Sequence, residues 1–172
     1  LENQTGKIEK ITNSKGSIWN ARFIRNDTAI IYTEVIDGST SIFSLDINVL
    51  SEKRPELILS GIGLVSRIAK STYNDKLLIP MSINATDSLM IHTLDISSGH
   101  AERLVTISNS HEYDYLSEVS PNKEFLSVVR KLKDNDYRLL IFDSITLQEK
   151  ASFNLANEVI SLGWLNDSEL LI

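Results

Sequence analysis

The sequence predicts an all-β fold of tandem four-stranded antiparallel sheets. Three observations carry that prediction. A turn signal built on asparagine recurs at nearly one spacing: Asn26, Asn74, Asn122 and Asn166 are separated by 48, 48 and 44 residues. A second marker, an apolar residue followed by aspartate, recurs independently at Leu45-Asp46, Leu94-Asp95 and Phe142-Asp143, separated by 49 and 48 residues. The segments between the markers are short runs rich in Ile, Val, Tyr and Phe, which suit half-buried strands. Four strands in each period of 40–50 residues describe the blades of a propeller. The expected architecture is therefore a partial β-propeller of about three to four four-stranded antiparallel blades, forming one domain over residues 1–172.

The repeats run at about 13–60, 61–107, 108–154 and 155–172, the last incomplete. Before the first lies Lys7-Ile8-Glu9-Lys10-Ile11, which reads as a stray fourth strand. The third copy is the clearest. Its strand A runs about Asp114–Val119 and turns at Ser120-Pro121-Asn122-Lys123. Strand B runs about Glu124–Leu132, strand C about Tyr137–Phe142 and strand D about Lys150–Asn154. In the first copy Asp37-Gly38 is a strong hairpin signal between strands B and C. The consecutive apolar residues of Ala29-Ile30-Ile31 suit a sheet covered on both faces. The fourth copy supplies a strand A at about Val159–Trp164 and a strand B from Ser168. Pro55 breaks the helix-like window Ser51–Leu59, and no other window reads as a helix. Gly61-Ile62-Gly63 reads as a turn between blades rather than a phosphate loop, since the further glycine and the helix are missing. Ten Gly plus Pro is few for so many turns, so Asn, Asp and Ser carry them.

Composition narrows the function classes. Of 172 residues, 17 are basic and 23 acidic, a net charge of −6, which argues against a nucleic-acid surface. Cysteine is absent, which excludes disulfides, Cys-ligated zinc, iron–sulfur clusters and thiol catalysis. No Gly-x-Ser-x-Gly run announces a serine nucleophile. No basic and apolar leader follows Leu1, and no run reaches the roughly 20 apolar residues of a membrane-spanning helix. The expectation is a piece of a larger protein.

No residue is assigned a catalytic, cofactor or metal role. His111-Glu112-Tyr113-Asp114 groups potential ligands but reads as a polar loop at a blade edge. His92 reads as a surface or inter-blade residue of a strand C, and His100 as a turn residue after Gly99. Arg130, Lys131 and Lys133 read as a solvated hairpin offset by Asp134 and Asp136. Trp19 and Trp164 lie near strands A and are expected to pack between blades. Four Asn-x-Ser/Thr sequons occur, at Asn3, Asn26, Asn84 and Asn166, and two of them, at Asn26 and Asn166, coincide with the repeat turn, so turn chemistry explains them without sugar. The connections between strands C and D differ most, Ile47–Glu56 being long and the loop around Gly99 short, so recognition is expected there.

The run Val119-Ser120-Pro121-Asn122-Lys123-Glu124-Phe125-Leu126-Ser127 resembles the strand–turn–strand signature of TolB-like, or WD-like, propeller repeats. Trp164-Leu165-Asn166-Asp167-Ser168 is a degenerate copy, and the apolar-Asp pair after strand C also looks like that family. The glycine of the family turn is missing in every copy. The resemblance implies a non-catalytic propeller module for protein interaction or ligand sensing. Its expected setting is the extracytoplasmic part of a ToxR/CadC-like membrane-anchored bacterial regulator, periplasmic or otherwise outside the cytoplasm. The gate of a prolyl-oligopeptidase-type serine peptidase and a TolB-like periplasmic scaffold are the alternatives. No cofactor and no direct nucleic-acid contact are expected, and any membrane attachment would come through a segment outside residues 1–172. The partner is a protein or small ligand, and an open stack is expected to self-associate.

Overall fold

A computed structural model describes residues 12–25, 27–48, 54–69, 72–84, 88–104, 113–132 and 136–172. The expected strand at Lys7–Ile11, the His111-Glu112 pair and Lys133-Asp134 lie outside them. Among the described residues there is no helix, and hence none long and apolar enough to cross a membrane. Three complete sheets follow one another along the chain, with strand order equal to chain order in each. The first contains β1 (Ser17–Ile24), β2 (Ala29–Ile36), β3 (Ser39–Asp46) and β4 (Glu56–Ile62). The second contains β5 (Thr72–Tyr73), β6 (Lys76–Met81), β7 (Met90–Leu94) and β8 (Ala101–Arg103). The third contains β9 (Tyr113–Val119), β10 (Phe125–Lys131), β11 (Tyr137–Asp143) and β12 (Glu149–Leu155). A final pair, β13 (Gly163–Trp164) and β14 (Leu170–Leu171), begins a fourth. All pairings within the sheets are antiparallel.

Period-2 alternation decides how the sheets stack. In β6, Leu77, Ile79 and Met81 pack with Ile24, Ile31 and Ile42 of the first sheet. Leu78, between them in sequence, points the other way and joins Val119, Leu126, Leu140 and Phe142 of the third. Leu116, Val129 and Leu139 of the third sheet in turn pack on Leu162 ahead of β13. A central sheet with two covered faces has apolar residues at consecutive positions, which is why these strands do not read as simple alternation. The fold is a partial β-propeller of three complete blades and the start of a fourth.

The turns explain how the chain manages with few glycines. Asn74 and Asp75 both adopt positive φ, 49° and 60°, as do Asp37 and Gly38 at 49° and 78°. Asn and Asp tolerate this left-handed region better than other side chains. In the third copy Lys123 takes it, with φ 63°. Its turn is held by hydrogen bonds: Lys123 N donates to Ser120 O (2.9 Å), and Glu124 N and Ser120 Oγ donate to Asn122 Oδ1 (3.0 and 2.7 Å).

Three expectations about the strands need correction. Gly61 and Ile62 belong to β4 rather than to a turn. Gly61 has φ +71° at a register shift, and the connection starts only at Gly63. The first strand of the second blade is regular only at Thr72–Tyr73. Before it, residues 63–69 hold the neighbouring chain by separate bonds, such as Ser66 N to Pro80 O (2.9 Å) and Ala69 N to Leu78 O (3.1 Å). Pro80 offers no N–H to that side, so the ladder is interrupted there. Of the expected first strand of the fourth copy, about Val159–Trp164, only Gly163–Trp164 is regular, and its partner is β14 rather than a strand from Ser168. Among the described residues, 159–161 pair with no strand.

Candidate functional site

The axial side of the propeller is built by the first strand of each blade. Each of two such strands carries an extra residue. The β1–β2 register shifts between Trp19 and Arg22, where Asn20 has φ 55°. The β9–β10 register shifts where Tyr115 lies between the paired residues Asp114 and Leu116. Bulges of this kind re-aim a side chain and are frequent beside functional sites. Here they open a cavity of about 310 Å³ lined by Trp19, Arg67, Tyr115, Glu158, Val159 and Ile160, among others.

The repeat explains the set. Trp19, Arg67, Tyr115 and Val159 each lie seven residues before the asparagine of their own turn, and all four line this one cavity. Tyr115 is fixed at both ends. Ser66 Oγ donates to its carbonyl (2.5 Å), and its hydroxyl accepts from Val159 N (3.2 Å). Burial first, and the nearby Glu158 carboxylate, push the Tyr115 hydroxyl above its ordinary range, so it remains protonated at neutral pH. Trp19 is 62% exposed and Ile160 83%. An open indole, a guanidinium and a carboxylate around one cavity can stack on and hydrogen-bond a polar ligand or an extended peptide. The arrangement offers no nucleophile–base pair.

Trp19 and Trp164 therefore divide. Trp164 packs between blades as expected: its ring stacks on Phe125 at 6.2 Å and Nε1 donates to Ser127 Oγ (3.1 Å). Trp19 faces the cavity, because the bulge after it turns it away from the neighbouring blade. The loop expected to recognise a partner also differs. Gly99, with φ +68°, lies over blade 1, where an added Cβ would sit 2.3 Å from Ile58 O. It is a packing contact. Residues 49–53 of the longer loop lie outside the described residues.

The other singled-out groups have structural partners. Arg130 forms a two-pronged ion pair with Asp114, Nε–Oδ1 2.6 Å and Nη2–Oδ2 3.2 Å, with the Asp114 side chain buried. Asp114, across the ladder, is a partner of Arg130, and Asp134 of the following turn lies outside the described residues. Lys131 Nζ lies 5.8 Å from the Tyr137 ring centroid. His92 is buried between blades. Its Nδ1–H donates to Met90 O (2.8 Å), while Nε2 has no hydrogen-bond partner. Burial dominates in holding its pKa below the usual imidazole value. At Asn166, Oδ1 accepts from Ser168 N and Glu169 N, both 2.9 Å, as turn chemistry predicts. Among the described residues no three His, Asp or Glu side chains gather as metal ligands would.

No family model matches the sequence, and no curated protein matches it. Solved structures do. TolB from Acinetobacter baumannii superposes with a TM-score of 0.65 at 21% identity, over 85% of this chain and 35% of that one. A TolB candidate from Agrobacterium tumefaciens gives 0.61 at 15% identity, over 84% and 52%. The β-propeller domain of the trilobed protease from Pyrococcus furiosus, described as having an open velcro topology, gives 0.56 at 13% identity, over 91% and 48%. The likeness is one of fold, that of β-propellers including TolB. The chain spans between a third and about half of these structures.

Proposed function

We propose that this propeller is a non-catalytic recognition module, and that its site is the axial cavity rather than the outer loops. The observation that carries this reading is the convergence of four repeat-equivalent positions on one cavity, two of them placed by bulges. Divergence at equivalent positions, here Trp, Arg, Tyr and Val, is how a repeat specialises a shared surface. The setting proposed is the extracytoplasmic sensor part of a membrane-anchored bacterial transcriptional regulator. The TolB-like turn and the lack of a net basic charge support it. Ligand binding at the axis would bias the regulator's attached cytoplasmic part, and this chain itself would not contact DNA.

The deciding test has two arms. The parent reading frame should encode an upstream winged helix followed by about 20 apolar residues. In that full-length protein, Trp19→Ala and Arg67→Ala should abolish the transcriptional response while leaving the protein level unchanged. A downstream domain with Gly-x-Ser-x-Gly would instead make the propeller a peptidase gate, and a leader peptide directly before it a periplasmic scaffold. Either finding refutes the regulator reading.

A further inference from the structure

The axial cavity carries charges that the described protein does not pair. Arg67 is half-buried and Glu158 is exposed. Both line the cavity. Among the described residues neither has an ion-pair or hydrogen-bond partner. A third polar group stands with them. The Tyr115 hydroxyl accepts from Val159 N (3.2 Å), and among the described residues its own proton has no acceptor. The three groups come from separate internal segments: Arg67 from residues 63–69, Tyr115 from β9 and Glu158 from the connection between β12 and β13.

Together they select the charge of a ligand. A lone anion suits the Arg67 guanidinium and the Tyr115 O–H, but it meets Glu158, whose carboxylate lies near enough to act on that hydroxyl. A lone cation suits Glu158 but leaves the half-buried guanidinium unpaired, and a desolvated charge without a partner is costly. A ligand with a carboxylate and an ammonium on one carbon satisfies all three groups. The rest of the wall is apolar, with Trp19 62% exposed, Ile160 83% exposed, and Val159 beside them. The volume of about 310 Å³ is at the lower end of the roughly 300–1,000 Å³ of ligand pockets, which suits a single residue rather than a long chain.

We propose that the ligand of the axial site is a free α-amino acid with an apolar side chain. Arg67 and the Tyr115 hydroxyl hold its carboxylate, Glu158 holds its ammonium, and its side chain lies against Trp19 and Ile160. This rests on the reading of the axial cavity as the recognition site.

Calorimetric titration of the full-length protein with L-leucine and with L-phenylalanine tests it. At least one of the two should bind saturably. Of the one that binds, the methyl ester lacks the anion and the N-acetyl derivative lacks the cation. Each should bind about ten- to a hundredfold more weakly, the loss of one charge-assisted hydrogen bond. In Arg67→Gln the acid and its ester should bind alike, and in Glu158→Gln the acid and its N-acetyl derivative should. A change in folding alone would not move these preferences one by one. No binding of either amino acid up to its solubility limit, or variants that keep the wild-type preferences, would overturn the proposal. So would an N-acetyl derivative that binds the wild type as well as the free acid, the mark of a peptide C-terminus, or an ester that does so, the mark of a peptide N-terminus. The underlying reading fails separately. If neither amino acid binds while Trp19→Ala and Arg67→Ala still abolish the transcriptional response, the ligand alone is wrong. If those variants respond as the wild type does, the recognition site itself is wrong.

Discussion

His92 makes blade 2 sensitive to acid, and the effect can be worked through. The imidazole is 2% exposed and is neutral, with its proton on Nδ1 and a buried, unpartnered Nε2. Protonation would add an N–H with no acceptor beside it, and Arg103, directly across the β7–β8 ladder, also disfavours the charge. The folded pKa is therefore depressed below that of the unfolded chain, near 6.5. For a histidine this means the unfolded state binds the extra proton. Stability is complete above that pH and falls as pH drops from there toward the folded pKa, by up to about 1.4 kcal/mol per pH unit. His92→Leu provides the control, since Leu140 occupies the equivalent position of blade 3. It removes the titration and the orphaned nitrogen, whose burial costs about 1–3 kcal/mol, at the loss of one hydrogen bond worth about 1 kcal/mol. Urea unfolding at pH 7.5, 6.5 and 5.5 would compare the two. The wild type should lose stability over that range by as much as one bound proton more than the variant. Equal slopes would refute the assignment of a buried neutral imidazole.

Four further outcomes are expected. Asp114→Ala removes the carboxylate that grips the largely buried Arg130 guanidinium at two points and should cost up to about 3–5 kcal/mol in urea unfolding, while Asp114→Leu with Arg130→Met should recover most of it. Gly99→Ala should destabilise more than Gly38→Ala. Both pay roughly 1–2 kcal/mol for left-handed backbone, but only at Gly99 does the new Cβ meet backbone, Ile58 O. Leu78→Ala, at a fully buried position between blades 2 and 3, should cost about 2–5 kcal/mol and lower the unfolding midpoint accordingly. The carboxylates of Asp95 and Asp143 are held below the ordinary range, first by the Ser97 side chain and the Thr146 amide respectively. Their contribution is therefore present above the unfolded carboxylate pKa and is lost as pH falls through the folded one. Two-dimensional NMR titration of the carboxyl carbons should find both midpoints below the ordinary aspartate value.

The repeat, the blade number and most strand limits were legible in the chain. Two local signals, an Asn turn and an apolar-Asp strand end, act through hydrogen bonds within a few residues, as at Asn122, Asn166, Asp46, Asp95 and Asp143. The strands of blade 3 were expected at about 114–119, 124–132, 137–142 and 150–154 and stand at 113–119, 125–131, 137–143 and 149–155. Departures arose where a neighbour decides. Gly61 belongs to β4 through the bulged ladder with β3.

The candidate site is a different matter. Trp19, Arg67, Tyr115 and Val159 already share a place in the repeat, so alignment of the copies on their asparagines would have found them. What alignment could not supply is direction. A bulge adds a residue to one strand only, and whether that turns Trp19 toward the axis or toward the next blade depends on its partner strand. The same holds for charge. Arg130 is adjacent in sequence to other basic residues, yet its counter-ion lies sixteen residues earlier, brought across by strand pairing. Local hydrogen-bond chemistry set the blades. The tertiary fold alone decided which side chains face the axis and which are sealed between sheets, because those outcomes depend on contacts between residues far apart in the chain.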